Sequence, residues 1–168
     1  GGEGYTVFNV ADVTGNASAD LIVSAPLADG RETGGSYTNV TSGLIKTGAG
    51  TLALAGNCSY TAGTTISNGI LDIIEVGSIA SSSNILVASG AQLVMEGAAD
   101  AIGNAAVVRI GSGATMYLTN GVTEVVGALY LNGALQTAGT WGSTSSSADN
   151  KNDTYFAGPG MLLVGVNP

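Results

Sequence analysis

The 168-residue chain contains no histidine. That absence removes Ser-His-Asp and Cys-His nucleophile systems and every His-ligated metal centre at once. A single cysteine, Cys58, cannot close a disulfide within the chain, so packing must hold the fold. With no histidine to activate it, Cys58 reads as a small residue at a corner, the competing reading being an intermolecular disulfide. Only 3 prolines are present, and the 27 glycines follow no G-X-Y period, which excludes collagen. Basic residues are just Arg31, Lys46, Arg109 and Lys151 against 12 acidic ones, a net charge of −8. No basic patch can form, so no nucleic-acid partner is expected. Charged residues make up 10% of the chain, well under the usual share, and Ser, Thr and Asn supply the polarity instead. Such a neutral surface suits an extracellular structural protein better than a cytosolic enzyme. Mean hydropathy is positive, yet no apolar run approaches the roughly 18 residues of a spanning helix, so membrane insertion is not expected.

What is present is strand periodicity. Short alternating runs, punctuated by Gly, Asn and Ser, recur from "YTVFNV" (5–10) to "MLLVGV" (161–166), and helical periodicity is missing throughout. Two segments, 78–97 and 101–120, align at an offset of 23 residues: Ile79 meets Ile102, Ile85 and Val87 meet Val108 and Ile110, and Leu93 and Met95 meet Met116 and Leu118. Upstream, Leu71 and Ile73 precede Leu93 and Met95 by 22, and Leu52 and Leu54 precede them by a further 19. A period of 19–23 residues with two or three strands in each is the signature of an all-β solenoid, with Leu52, Leu54, Leu71, Ile73, Ile85, Val87, Leu93, Met95, Val108, Ile110, Met116 and Leu118 stacked as interior rungs. Gly48, Gly50, Gly69 and the Gly34-Gly35 pair fall at predicted corners. Thr51, Asp72, Gln92, Glu96, Thr115, Tyr117 and Thr119 fall at outward positions. The alternative is an antiparallel sandwich or barrel, which would not need Gly-Ala corners at one period.

The stretch "SGLIKTGAGTLALAGNCSYTAGTTISNGILDI" carries a more specific pattern. Gly43, Leu44, Lys46, Gly48, Gly50, Thr51, Leu52, Leu54, Gly56, Tyr60, Thr61, Thr64, Ile66, Gly69 and Leu71 match the autotransporter-associated β-strand repeat, also called the passenger-associated transport repeat, which this stretch resembles. "NCSYTAG" departs from it. The flanks over 17–166 also resemble the surroundings of such repeats. The resemblance implies a right-handed parallel β-helix, secreted by or displayed on a bacterium, in which the repeat is a scaffold for folding and export and transfers no catalytic residue. The expected layout is a single domain over 1–168: N-terminal coils 1–42, the signature repeat 43–75, regular coils 76–138, and a C-terminal coil and cap 139–168 built round Trp141, Tyr155 and Phe156.

Candidates for chemistry are few. No catalytic residue and no cofactor is expected. The nearest carboxylate pairs are Asp72/Glu75, Glu96/Asp100 and Asp149/Asp153, each of which reads as solvated surface charge; a polysaccharide-processing site would also need a basic group, with Arg109 the candidate beside Glu96 or Asp100. Asp149, Asn150, Asn152 and Asp153 offer oxygens to Ca²⁺ in one loop, although the spacing matches no EF-hand. Trp141 is a sugar platform if exposed and part of a hydrophobic cap if buried. The sequons at Asn16, Asn39, Asn57 and Asn152 read as chance products of composition. A chain opening at Gly1 on a strand reads either as a piece of a longer passenger or as an end that pairs with another copy. The expected function is therefore a non-catalytic extracellular building block that self-assembles head to tail into a filament or surface layer. An adhesin-like passenger binding glycans is the alternative, and a polysaccharide-processing enzyme comes third.

Overall fold

The computed structural model describes residues 4–31, 39–97, 100–119 and 121–165. Gly34, Gly35 and Val166, read above as corner glycines and a strand end, lie outside the described residues. The first coil supplies β1 (Gly4–Asn9) and β2 (Leu21–Val23), then a short antiparallel pair, β3 (Gly30–Arg31) and β4 (Asn39–Val40). The second supplies β5 (Ser42–Thr47) and β6 (Thr51–Leu54), and the third β7 (Thr64–Ile66) and β8 (Ile70–Glu75). The fourth contributes β9 (Asn84–Val87) and β10 (Gln92–Gly97), and the fifth β11 (Val107–Ile110), β12 (Thr115–Leu118) and β13 (Thr123–Val126). There follow β14 (Ala128–Leu131), β15 (Ala134–Leu135), β16 (Gly139–Gly142), β17 (Asn150–Lys151), β18 (Phe156–Ala157) and β19 (Met161–Val164).

Two long sheets result, with parallel pairing from coil to coil. Sheet A runs β1-β5-β7-β9-β11-β14-β15 and sheet B runs β18-β12-β10-β8-β6-β2. A third face begins as the isolated parallel bridges Asn57–Ser78 and Ile79–Ile102, and continues as the sheet β13-β19-β16-β17. The chain is thus all-β, a parallel β-helix, with no helix among the described residues. In sheet A the inward column passes through Leu44, Thr64, Ile85, Val108 and Leu129, steps of 20, 21, 23 and 21 residues. In sheet B it passes through Leu52, Leu71, Leu93 and Met116, steps of 19, 22 and 23. Alternation explains the core: with a strand period of two, one residue in each pair faces inward. Leu52, Leu54, Leu71, Ile73, Ile85, Val87, Leu93, Met95, Val108, Ile110, Met116 and Leu118 are all buried in a single cluster. Parallel order keeps like side chains directly over one another, so each rung packs on the rung above and below it.

Several elements depart from the sequence reading. Thr51 is buried, not outward. A loop of the long first coil lies over it: the Thr51 N–H donates to Asp20 Oδ2 at 2.8 Å and its hydroxyl to the Ala17 carbonyl at 3.3 Å. The strands β3, β4, β7 and β13 and the segment β15–β18 fall outside the alternating runs that mark strands in the sequence. At Asn132-Gly133 the backbone takes φ of 46° and 82°, the positive values of a type I′ turn, and folds β15 back antiparallel onto β14.

The two ends differ. Among the described residues β1 pairs only with β5, and β2 only with β6. Val7 and Ile22 on these strands are each 57% exposed. At the other end, sheet A finishes on the antiparallel two-residue β15, β16 runs antiparallel to β19, and Phe156 lies opposite Met116 as the next buried residue in its column.

Candidate functional site

The matched columns bring polar side chains inside. Lys46 occupies an inward position of sheet A, in register with Phe8 on β1 and Ile66 on β7, and is 0% exposed. Its ammonium has three protons and uses all three: Nζ donates to the carbonyls of Thr47 at 3.0 Å, Gly48 at 2.8 Å and Asn68 at 3.1 Å. These carbonyls belong to the A-to-B corners of two successive coils, so the charge ties the corners together. Burial pulls the Lys46 pKa down, and the nearby Asp20 carboxylate pulls it back up. A second polar string lies on the same interior. The Tyr60 hydroxyl meets Thr64 Oγ1 at 2.7 Å, Thr64 Oγ1 donates to Ser82 Oγ at 2.9 Å, and Ser82 Oγ donates to the Ala62 carbonyl at 3.1 Å. Thr64 spends its only hydroxyl proton on Ser82, so Tyr60 is the donor to Thr64. Burial pushes the Tyr60 pKa well up, so the ring stays neutral. The positions that match the repeat motif at Lys46, Tyr60 and Thr64 are thus bonded inward.

Cys58 is buried at the third face, its thiol between the Leu27 N–H and the Gly56 carbonyl, each at 3.5 Å. Burial raises its pKa, which keeps it a thiol and a poor nucleophile. Two carboxylates of the first coil reach across to the second and third. Asp20 Oδ1 accepts the N–H groups of Val13 and Thr14, while its Oδ2 takes that of Thr51. Asp29 Oδ1 accepts Ser42 N–H at 2.8 Å and Thr61 N–H at 2.9 Å. Backbone hydrogen bonds, from Thr51 to Asp20 and from Ser42 to Asp29, hold both pKa values low.

Of the expected carboxylate pairs, the register produces a different one. Asp72 on β8 lies opposite Val94, two residues from Glu96 on the neighbouring strand. Burial, then the Glu96 charge, lift Asp72 to about 6, and its Oδ1 is buried without a hydrogen-bond partner. Arg109 is nowhere near this pair: it faces outward from sheet A, between Leu86 and Tyr130. Asp149 and Asp153 do not converge. Thr140 Oγ1 donates to Asp149 Oδ2, whereas the N–H and hydroxyl of Thr144 serve Asp153. Asn150 donates to the Thr140 carbonyl, and Asn152 Oδ1 accepts Thr154 N–H. Among the described residues no cluster of His, Cys, Asp and Glu gathers round a point fit for a metal ion. Trp141 is only 9% exposed and donates its indole N–H to the Thr137 carbonyl, so it is no sugar platform; Tyr155 is half-buried beside buried Phe156.

Glu124 was not foreseen. It points inward from β13, is 0% exposed, and its two carboxylate oxygens accept the N–H groups of Ala101 at 3.2 Å and Ile102 at 2.9 Å. On the third face the carboxylate takes the place that a parallel strand's carbonyls would occupy, splicing the fourth coil to the fifth. Burial raises it to about 7, against the pull of its two N–H donors, with Asp100 adding a smaller push in the same direction. A Glu at a position where alternation calls for an aliphatic was the only signal available.

The outer face of sheet A carries a groove of about 360 Å³ that crosses three successive coils at the turn towards sheet B. Arg109 lies in its wall, with the guanidinium 4.7 Å from the Tyr130 ring centroid and Nη1 donating to Asn84 Oδ1. Ser89 and Ser112, which hold equivalent corners one coil apart, line it as well.

Comparison with known proteins agrees with the central coils. Residues 44–73 match the family described as passenger-associated-transport-repeat. No curated protein and no solved structure matches the chain.

Proposed function

We infer that the chain is autotransporter passenger-like, from the passenger-associated transport repeat matched over residues 44–73. We propose that it serves as a non-catalytic structural element of a secreted or surface-displayed bacterial β-helix, right-handed, with the C-terminal segment from residue 139 as its coil and cap. The observation that supports this best is the direction of the repeat's polar groups. Lys46, Tyr60 and Thr64, three polar positions of the motif, spend their hydrogen bonds on the interior and the corners and not on the outer surface. Asp72 and Glu96 share the outer face of sheet B, but the described residues place no basic group beside them. The test is incubation with a panel of acidic and neutral polysaccharides. Unchanged polymers are expected; release of reducing ends that disappears in Asp72→Asn would overturn the reading.

End-to-end self-assembly is a second reading, favoured by the exposed Val7 and Ile22 on strands that, among the described residues, pair on one side only. A head-to-tail fibre needs a parallel edge at both ends, and the far end closes sheet A with the antiparallel β15 and sheet B with the two-residue β18, devices that blunt an edge. This geometry favours the solitary scaffold. Analytical ultracentrifugation and negative-stain microscopy over a concentration series separate the two: discrete monomers are expected, and fibres would establish the polymer.

A further inference from the structure

The guanidinium of Arg109 is set up as a receptor. Among the described residues it has no carboxylate partner; its contacts are the Tyr130 ring and Asn84 Oδ1. The ring beneath it and the amide beside it hold the planar group in one attitude, leaving its other N–H donors to the groove. An arginine presented this way matches a carboxylate through two parallel hydrogen bonds, which a lysine cannot reproduce. The rest of the groove is neutral and hydroxylated. Ser89 and Ser112 repeat on adjacent coils, and Asn132 stands at the far rim on the β14–β15 turn. Gly111 lets the two corners pack closely: a Cβ there would lie 2.9 Å from Ser89 N and 3.3 Å from Ser89 Oγ. The volume of about 360 Å³ falls in the range of small-ligand sites. Three coils at the usual strand spacing span about 10 Å, enough for one or two pyranose rings. A chain of net charge −8 disfavours multiply charged anions, and one guanidinium balances one carboxylate.

We infer that this groove is a binding site for a uronate, a sugar ring bearing a carboxylate: Arg109 takes the carboxylate, and Ser89 and Ser112 take ring hydroxyls. Tyr130 and Asn84 are positioning residues that hold the guanidinium. The site adds a ligand to the scaffold reading without depending on it, because it lies outside the matched repeat.

The experiment is titration of the full chain with digalacturonate, followed by amide chemical shifts and calorimetry, with neutral galactobiose and sialyllactose as the other arms. Digalacturonate should bind saturably, with shifts centred on residues 86–89, 109–112 and 130–133, and galactobiose at least about tenfold more weakly, the loss of one charge-assisted pair. Arg109→Met should lose about tenfold or more, Arg109→Lys several-fold, and Tyr130→Phe little. The Ser89→Ala/Ser112→Ala double variant leaves the core untouched and should weaken binding while the thermal midpoint stays constant. Equal binding of galactobiose and digalacturonate, wild-type affinity in Arg109→Met, or no saturable shift with digalacturonate would overturn the site. Tighter binding of sialyllactose than of digalacturonate would overturn the uronate assignment.

Discussion

The second and third coils and the fourth and fifth solve one problem in different ways. All four stack the same sheets at nearly the same period. The earlier pair puts Lys46 and Thr64 into the inward column of sheet A, where the later pair puts Ile85, Val87, Val108 and Ile110. Their corners differ as well. A Cβ on Gly69 would lie 2.5 Å from the carbonyl oxygens of Gly48 and Gly50, and its φ is +70°; Gly90 has a φ of +76° but open space around it. The earlier coils are therefore fixed by close backbone approach and directed hydrogen bonds, the later ones by apolar stacking and a permissive turn. Directed bonds admit a single register, and aliphatic columns contribute stability with less discrimination between neighbouring registers. The register is therefore most tightly specified within the repeat.

That contrast can be broken in graded steps. Gly69→Ala meets both a steric and a conformational barrier and should cost about 4 kcal/mol, or block folding, in urea unfolding. A loss below about 1 kcal/mol would show that the corner relaxes and that close approach is not what fixes it. Lys46→Met should cost about 2–4 kcal/mol, because three corner carbonyls lose their donor in a buried place. A neutral or stabilising result would mean that an apolar column serves the early coils as well as it serves the late ones.

The carboxylates make the comparison pH-dependent, with opposite signs in two places. Glu124 is raised to about 7, so the folded state holds its proton more tightly than the unfolded chain does. Its contribution is greatest below the ordinary Glu range, falls as pH rises towards about 7, and is flat above. Asp20 and Asp29 are depressed, so what they contribute is complete above the ordinary Asp range and is lost as pH falls below that range through their lowered values. In Glu124→Gln the decline between about pH 5 and pH 7 should shrink, with a loss of about 1–3 kcal/mol at the acid end, where one N–H of Ala101 or Ile102 faces an amide NH₂. Asp72 titrates with the same sign and must be fixed as Asn in both proteins. An unchanged pH slope would remove Glu124 from the account. Hydrogen exchange should show the first coil opening first in acid, before the coils that follow it. The smallest effect belongs to Gly90→Ala, about 1 kcal/mol from its positive φ alone. A loss as large as that of Gly69→Ala would erase the distinction between the two kinds of corner.

Much of the stack is legible in the sequence wherever inward residues are aliphatic. The offset of 23 that aligns Leu93 with Met116 is the register that the strands adopt, and Ile79 meets Ile102 across a bridge. Legibility fails where polar groups are inside. Thr64 hides β7 and Glu124 hides β13, because alternation is read from apolarity while both side chains satisfy themselves by hydrogen bonds invisible in one dimension. The burial of Lys46 is concealed for the same reason. Thr51 is misread as outward because its cover comes from a loop more than thirty positions away. The Asn132-Gly133 turn carries a hairpin signal, but the prevailing parallel period masks it. The Arg109 groove depends on three coils meeting at one corner, a juxtaposition that no local pattern encodes.

The asymmetry of the two ends also gives the molecule a mechanical polarity. Among the described residues the first coil is held by β5, β6 and two aspartate clasps, whereas the last strands are interlocked by antiparallel pairing on two faces. Tension applied through the N-terminal strand peels hydrogen bonds off one coil at a time. Tension on the opposite end loads the reversed strands together in shear. In an optical trap the first geometry should give a staircase of low-force steps, and the second a single high-force rip.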